Sequence, residues 1–514
     1  MHSDFCDYLV PPCGTAVLPP APLRRWALTL VLLLAGCAVG PNYTRPSVAV
    51  PAGFKEAAPG WKLAQPADHQ DRGNWWAIYH DAQLDALMDR LNAANQSVAP
   101  FAAAYRQALA LTAEARASGF PTLSASVSGS RAGFGRASHS AGTSGLAAAG
   151  SRVPNSFSTS LDASWEPDLW GGIARAVASQ KAGQQAAAAD LANARLSAQA
   201  TLAQDYYLLR LSDAQQKVLD ETVAAYRRML DLTENRYRQG IAPRSDVIQA
   251  QAQLQSAQSA ALGNGIARAQ YEHAIAVLVG EPASTFSLVS APLDAVPPPI
   301  PVSLPSALLE RRPDVASAER KAAAANERIG AAMAAFFPFL TLSAQGGFSS
   351  SVLPQLLRAP SRFWSLGPEL AATLFDGGLR GAKVDAARAA YDEQVAVYRQ
   401  TVLSAFQDVE DNLASLRILE QQIVLQQASV DFAQQARDIA LNQYKAGTVA
   451  YLSVLTAQTT LLSARQTLQS LVGQRMIASV GLIKALGGGW DVARIDNPMD
   501  SIAAPSAASS VSGG

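Results

Sequence analysis

The sequence contains itself twice. Asn235-x-Tyr237-x-x-Gly240 returns as Asn442-x-Tyr444-x-x-Gly447. Val247, Ala250, Gln251, Leu254, Ser256, Ala257 and Gly280 return as Val454, Ala457, Gln458, Leu461, Ser463, Ala464 and Gly487, all at a constant offset of 207 residues. Earlier markers double as well: Phe120-Pro121-x-Leu123 with Phe337-Pro338-x-Leu340, and Gly171-Gly172 with Gly377-Gly378. Copies of about 200 residues are far longer than the 20–50-residue periods of solenoids and propellers. The chain is therefore a duplicated large unit, and its function depends on what each copy contains.

Composition narrows the class. Aromatic residues make up 7% and charged residues 16% of the 514, and acidic and basic residues balance at 41 each. With no basic excess, nothing points to nucleic acid. The five histidines (2, 69, 80, 139 and 273) show no ligand spacing, and no His-centred triad or phosphate loop is present. The cysteines stand at 6, 13 and 37, so the main body has no disulfide framework. An enzyme is not expected, nor a metal or cofactor site.

The N-terminus reads as a leader. Arg24-Arg25 precede an apolar run from Trp26 to Ala35 that stops at Leu34-Ala35-Gly36-Cys37. The run is too short for a bilayer span, which needs about 20 residues, and suits the apolar region of a secretory signal. Leu-Ala-Gly-Cys resembles a bacterial lipobox, which implies cleavage after Gly36, a covalent lipid on Cys37 and membrane anchoring. Ala38 follows where an Asp would favour inner-membrane retention, so the outer membrane is expected. Residues 1–36 are read as the signal peptide, with an atypically long stretch before Leu23.

Four segments alternate with period two. In Ser156–Asp168, Ser156, Ser158, Ser160, Asp162, Ser164 and Glu166 share one face, and Phe157, Thr159, Leu161, Ala163 and Trp165 the other. Leu123, Ala125 and Val127 alternate with Thr122, Ser124, Ser126 and Ser128; Leu340, Leu342 and Ala344 alternate with Thr341, Ser343 and Gln345. The fourth segment sets Trp364, Leu366, Leu370 and Leu374 against Ser365, Glu369 and Thr373. Loops are expected near 135–155 and 350–362, the first hairpin being the longer: 50 residues separate Pro121 from Gly171, and 39 separate Pro338 from Gly377. A sheet on a soluble core would show such a pattern. So would a membrane barrel, which the strand length of about ten residues and the Ser/Thr-rich, weakly charged polar faces favour. Four strands cannot close a barrel, and an open edge in lipid leaves backbone groups unpaired, so a membrane sheet of this size must oligomerise.

Long helices follow. After Gly172 the chain runs to Gln239 with no Pro and one Gly, and after Gly378 to Ala446 again with no Pro and one Gly; some 66 helical residues would reach roughly 100 Å. Leu219, Val223, Tyr226, Leu230, Thr233 and Tyr237 step as a coiled-coil seam. Val247-Ala250-Leu254-Ala257 and Val454-Ala457-Leu461-Ala464 repeat it on returning helices. A soluble helical rod would carry the same seams. Gly240 and Gly447 end the long helices. Ser245-Asp246 and Leu452-Ser453 are read as caps of the return helices.

Together these features resemble the TolC/OprM-type outer membrane efflux channels, in their NodT-like lipoprotein branch. Trp75-Trp76 with Asp81-x-x-Leu84-Asp85-x-Leu87, Leu308-Leu309-Glu310-Arg311-Arg312-Pro313-Asp314-Val315, Phe336-Phe337-Pro338, Leu374-Phe375-Asp376-Gly377-Gly378 and the Tyr-x-x-Gly tips carry the resemblance, over about 40–489. It implies a mainly α protomer with a membrane β-barrel. Three copies form a homotrimer with a 12-stranded β-barrel continuous with a long periplasmic α-helical barrel. The expected divisions are an N-terminal anchored and equatorial segment 37–75, a first repeat 76–280, a Pro-rich equatorial link 281–305, a second repeat 306–487 and a C-terminal tail 488–514.

It further implies a passive outer-membrane conduit extending into the periplasm, partnered by a periplasmic adaptor and an inner-membrane resistance–nodulation–division pump. Membrane lipid is the other expected partner. In the family, tyrosines and carboxylates close the periplasmic tips. By position these map to Tyr237, Asp246 and Tyr444, while Ser453 and Thr456 stand uncharged where relatives often carry acids. Closure is then expected to rest on Asp246, Arg244 and packing. Both tyrosines also fit ordinary seam packing. A protein-secretion outlet on the same fold and a lipid-anchored rod without a pore are the competing readings.

Overall fold

A computed structural model describes residues 39–56, 74–132, 155–293, 296–298, 311–490 and 495–496. Cys37 and the long first-hairpin loop, residues 133–154, lie outside the described residues. After a 3-10 turn at Trp75–Tyr79 come α1 (Ala82–Ala94), α2 (Ala99–Ala117), β1 (Thr122–Arg131) and β2 (Asn155–Trp165). Then follow α3 (Gly172–Arg238) and α4 (Arg244–Leu278). The second half repeats the order with α5 (Pro313–Ala334), β3 (Phe339–Ser350), β4 (Arg362–Ala371), α6 (Leu379–Lys445) and α7 (Tyr451–Ala485). The duplication is metrical: α3 and α6 each have 67 residues, α4 and α7 each have 35. At 1.5 Å per residue the long helices measure about 100 Å.

The chain divides into two compact units, the first holding the strands and their flanks, 118–175 and 330–384, with the described residues up to 41. Its four strands form one antiparallel sheet in the order β1-β2-β3-β4. The register places Ala125 opposite Leu161, Leu161 opposite Gly346, and Gly346 opposite Trp364, so the apolar faces join into one surface. That surface is bare: Leu123, Val127, Trp364 and Leu366 are 74–82% exposed. A sheet packed on its own soluble core would bury them. The opposite face is knitted by hydroxyls, Ser126 to Ser160 at 2.9 Å, Ser128 to Ser158 at 2.7 Å, and Ser160 to Asp162 at 2.7 Å. Strand limits are tighter than the alternation predicts. β2 stops at Trp165 and β4 at Ala371, leaving Glu166, Thr373 and Leu374 outside, since Pro167 offers no donor to extend the β2 ladder.

The second unit holds 42–117, 176–329 and 385–514. Its main core joins Trp75, Trp76, Leu84, Leu91, Leu202, Tyr206, Tyr207, Ile275, Phe286 and Met476. Along the α3 seam Leu219, Tyr226 and Thr233 are buried, whereas Tyr237 at its end is exposed.

Two non-helical segments are strapped onto the helices by charge. Arg210 and Asp213, each 3% exposed at the side chain, pair at 3.0 Å. Asp213 also accepts from Arg268 at 2.8 Å and from the Ala291 N–H at 3.1 Å. Arg210 donates to the Val289 carbonyl at 2.9 Å and Arg268 to that of Leu288 at 2.7 Å. The repeat-equivalent set is Arg417, Glu420 and Arg475. Arg475 pairs with Glu420 at 3.0 Å, while Arg417 binds Glu56 of the N-terminal segment. Glu410 accepts the Lys55 and Glu56 amides at 2.8 and 3.0 Å, and Phe54 packs beside Val409 and Leu482.

The return helices end alike. At Leu278 and Ala485, positions 207 apart, a side chain from the preceding bundle satisfies the terminal carbonyl. Asn95 Nδ2 donates to Leu278 O at 2.7 Å, and Arg312 Nη1 to Ala485 O at 3.1 Å. Arg312 is held in turn by Asp314 at 2.7 Å and Asp408 at 3.0 Å. At the other ends the expected caps are corrected. Pro243 and Ala450 occupy the N-cap positions, with no side-chain capping bond, and Ser245, Asp246, Leu452 and Ser453 lie inside the first turns. The backbone there closes on itself through Asp246 N–H to Pro243 O and Ser453 N–H to Ala450 O, both 3.1 Å.

Removing Arg312 leaves a buried helix-end carbonyl unpaired, at a cost of about 1–3 kcal/mol, and unpairs two partly exposed carboxylates, which adds less; removing Asn95 costs about 1 kcal/mol. Heat-dissociation midpoints in detergent should therefore fall further for Arg312→Ala than for Asn95→Ala. Equal midpoints would show that Arg312 does not hold the second half together.

Candidate functional site

The predicted site residues converge, apart from Cys37, on the turns between long and return helices. Each turn is built identically. Gly240 N–H bonds Tyr237 O at 2.9 Å and Ile241 N–H bonds Arg236 O at 2.8 Å; Gly447 and Thr448 repeat this with Tyr444 and Gln443, both at 3.0 Å. This paired closure requires a left-handed residue at the helix end, supplied by Gly240 at φ +72° and Gly447 at φ +80°.

Equivalent backbones carry unequal side chains. Tyr444 is 3% exposed, whereas its repeat mate Tyr237 is 44% exposed. Tyr444 is enclosed because Tyr451, standing where the first repeat has Arg244, sets its ring edge-on at 5.9 Å between centroids. Arg236 lays its guanidinium over the Tyr444 ring, 4.7 Å from the centroid. Tyr444, Tyr451, Val454 and Ala250 form a small core with Met229, Leu230 and Leu441 around it. The Tyr444 hydroxyl is buried and finds no hydrogen-bond partner among the described residues.

Arg236 joins the two tips. Its Nη1 donates to Tyr444 O at 2.9 Å and to Lys445 O at 3.1 Å. These are two of the last carbonyls of α6, which have no partner within their own helix. A cation on them also complements the negative end of that helix. Asp246 sits half-buried in the first turn of α4. Burial pushes its carboxyl above the ordinary range, with the Arg236 charge opposing. Burial likewise pushes Tyr451 up to about 12, with Tyr226, Tyr444 and Asp246 adding to the shift.

Of the sequence-predicted residues, Tyr444 lies in this core and Asp246 faces the charge of Arg236. Tyr237 and Arg244 remain exposed on the first tip, and Ser453 and Thr456 are exposed on the second. Thr456 Oγ1 turns back to Leu452 O at 2.9 Å, so its hydroxyl is spent on its own helix. Sequence reasoning missed Arg236 and Tyr451. The available signal was a basic residue in the last turn of a helix, where side chains reach terminal carbonyls.

Arg236→Ala should loosen the second tip. Losing two charge-assisted bonds, of about 1.5–3 kcal/mol each before screening, predicts amide exchange across 443–449 faster by about tenfold or more. Arg236→Lys, lacking the planar fork, should fall between. Ionised Asp246 opposes this packing, so tip protection should rise as pH falls through its raised pKa toward the ordinary carboxylate value. Asp246→Asn should abolish that pH dependence. Unchanged exchange in Arg236→Ala would mean the tips are not joined through it.

A protein-family model described as "Outer membrane efflux protein" matches the chain twice, over residues 87–281 and 304–488. The pyoverdine export outer membrane protein OpmQ of Pseudomonas aeruginosa is 33% identical over 467 residues, 90% of this chain and 96% of its own length. The cation efflux system protein CusC of Escherichia coli is 29% identical over 471 residues, 91% of this chain and 99% of its own. The solved structure of the outer-membrane channel OprN matches with a TM-score of 0.81 at 27% identity, over 88% of this chain and 100% of that one.

Proposed function

The chain belongs to the outer membrane efflux protein family, and on that premise we propose that it is the lipid-anchored outlet of a tripartite exporter for small organic molecules. It would be anchored through Cys37 and assembled as a homotrimer. A periplasmic adaptor would link it to an inner-membrane resistance–nodulation–division pump that supplies the energy. The chain itself carries out no reaction; it is a duct. The single observation that carries this reading is the sheet, with a bare apolar face, a hydroxyl-lined opposite face and four strands whose outer members, β1 and β4, each lack one neighbour among the described residues. Three such sheets joined edge to edge give a wall of twelve strands, apolar toward lipid and wet within, with every interior edge paired.

The relatives are named for different cargoes, pyoverdine for OpmQ and cations for CusC. Here Ser453 and Thr456 leave the second tip without added carboxylates, which supports organic cargo over metal cations. Tyr444, Arg236 and Tyr451 are assigned to holding the tip closed. Tyr237 is assigned no such share, because within one chain its ring is 44% exposed where that of Tyr444 is buried.

Planar bilayers test the duct. The purified lipoprotein should conduct ions; Tyr444→Ala should raise that conductance and admit large antibiotics in cells, while Tyr237→Ala should change little. A protein that stays monomeric and electrically silent would reject the reading. Equal leakage from both variants would reject the assignment to Tyr444 alone.

A further inference from the structure

Charge is sorted between the two faces of the sheet. Within the four strands the acids are Asp162 and Glu369, and the bases are Arg131 and Arg362. Both acids belong to the hydroxyl-lined face, Asp162 opposite Ser124 and Gln345, and Glu369 opposite Thr341. Both bases belong to the apolar face by strand alternation, Arg131 in line with Leu123 and Val127, and Arg362 in line with Trp364 and Leu366. They also share one end of the sheet. Arg131 is the last residue of β1 and Arg362 the first of β4, where the β3–β4 loop closes and supplies Arg358. All three residues are exposed, and none of their guanidinium groups has a partner among the described residues. Beyond the other end of β4, by contrast, Arg380 is held by Asp376 at 2.6 Å.

The apolar face is graded along the strand. Every second residue of β4 reads Arg362, Trp364, Leu366, Pro368, Leu370, a cation, then an indole, then aliphatic groups, at about 7 Å per step. A bilayer entered from its surface presents the same order, with phosphates first, then the interfacial layer that favours Trp, then hydrocarbon. The loop continues the pattern. Val352, Leu353 and Leu357 are exposed around Arg358. A cluster of bare aliphatic groups suits a lipid surface better than water, and an arginine stem lies along such groups while its charge reaches the headgroups.

We infer that Arg131 and Arg362, supported by Arg358, form a seat for the phosphate of a lipid in the outward-facing leaflet, and that the seat is complete only where two copies of the chain meet. The inference rests on the reading of the sheet as one part of a shared membrane wall. β1 and β4 are the outer strands of the sheet, so within one chain the two arginines stand on strands about 14 Å apart. Joined edge to edge, β4 of one copy lies about 5 Å from β1 of the next. Arg362 and Arg131 then stand at the same end of one seam, on its lipid side. No acid of the strands reaches that face, so the two cations repel each other across the seam. A phosphate between them removes the repulsion and accepts paired N–H bonds from each guanidinium fork. The lipid thereby fastens neighbouring copies together.

Native mass spectrometry of the full-length protein tests this, with a bisphosphorylated diglucosamine lipid (lipid A) as probe and its dephosphorylated form as control. The trimer should retain the phosphorylated lipid and lose the control. Arg131→Gln and Arg362→Gln should each weaken retention by about tenfold or more, and Arg362→Lys by less. Asp162→Asn, on the opposite face, should leave retention unchanged. A trimer that holds neither lipid, holds both equally, or keeps the phosphorylated one after both arginines are replaced overturns the seat and leaves the shared wall standing. A sample without trimer mass overturns both.

Discussion

An unpaired strand edge cannot be left in lipid. Each exposed N–H and C=O there lacks a partner, at several kcal/mol per group. The sheet described here has two such edges, on β1 and β4, and an outward face built from Leu123, Val127, Trp364 and Leu366. The face asks for hydrocarbon and the edges forbid it to a single copy. Pairing β4 of one chain with β1 of the next satisfies both at once. The internal duplication serves this constraint, because each copy of the repeat brings one hairpin and one pair of helices sized to match the other.

Duplication leaves gaps that the repeats alone do not fill. Arg210, Asp213 and Arg268 close on the backbone at 288–291, whereas Arg417 at the matching place takes Glu56 from the N-terminal segment. One charge set thus fastens two unrelated segments. Buried pairs such as Arg210–Asp213 add little net stability compared with well-packed apolar residues. Their worth is positional, since a guanidinium with several fixed donors selects one backbone path among many. Arg312 makes the same point: it sits in the chain's Arg-Pro-Asp motif, and its work is to terminate α7 through Ala485 O.

The parts of this fold that follow simple periods were readable in the sequence. Alternation by two located all four strands, and Pro-free runs ending at Gly240 and Gly447 located the long helices nearly to the residue. Chain punctuation was read less well. Ser245 and Asp246 have the chemistry of helix caps, but Pro243 takes the cap position with its fixed φ and leaves them inside the first turn. The contrast between Tyr237 and Tyr444 was not readable at all. Their sequence contexts match, and their difference depends on Tyr451 and Arg236, one of which lies in the other repeat. Cross-repeat contacts leave no local pattern.

On the proposed reading of the tips as a gate, that contact also bears on how a closed tip would be held and still open. Sequence symmetry would place equal tyrosines on both tips, and equal packing would leave no reason for one to move before the other. Instead, one tip is buried around Tyr444 and fastened by a side chain from its neighbour, while the other exposes Tyr237. The fastening is made to carbonyls at a helix end, which can exchange Arg236 for water without breaking any bond within α6. The Tyr444 hydroxyl, buried without a partner among the described residues, makes the held state costlier than it need be. An exchangeable cation beside one unsatisfied hydroxyl holds the Tyr444 tip together through contacts that water can replace.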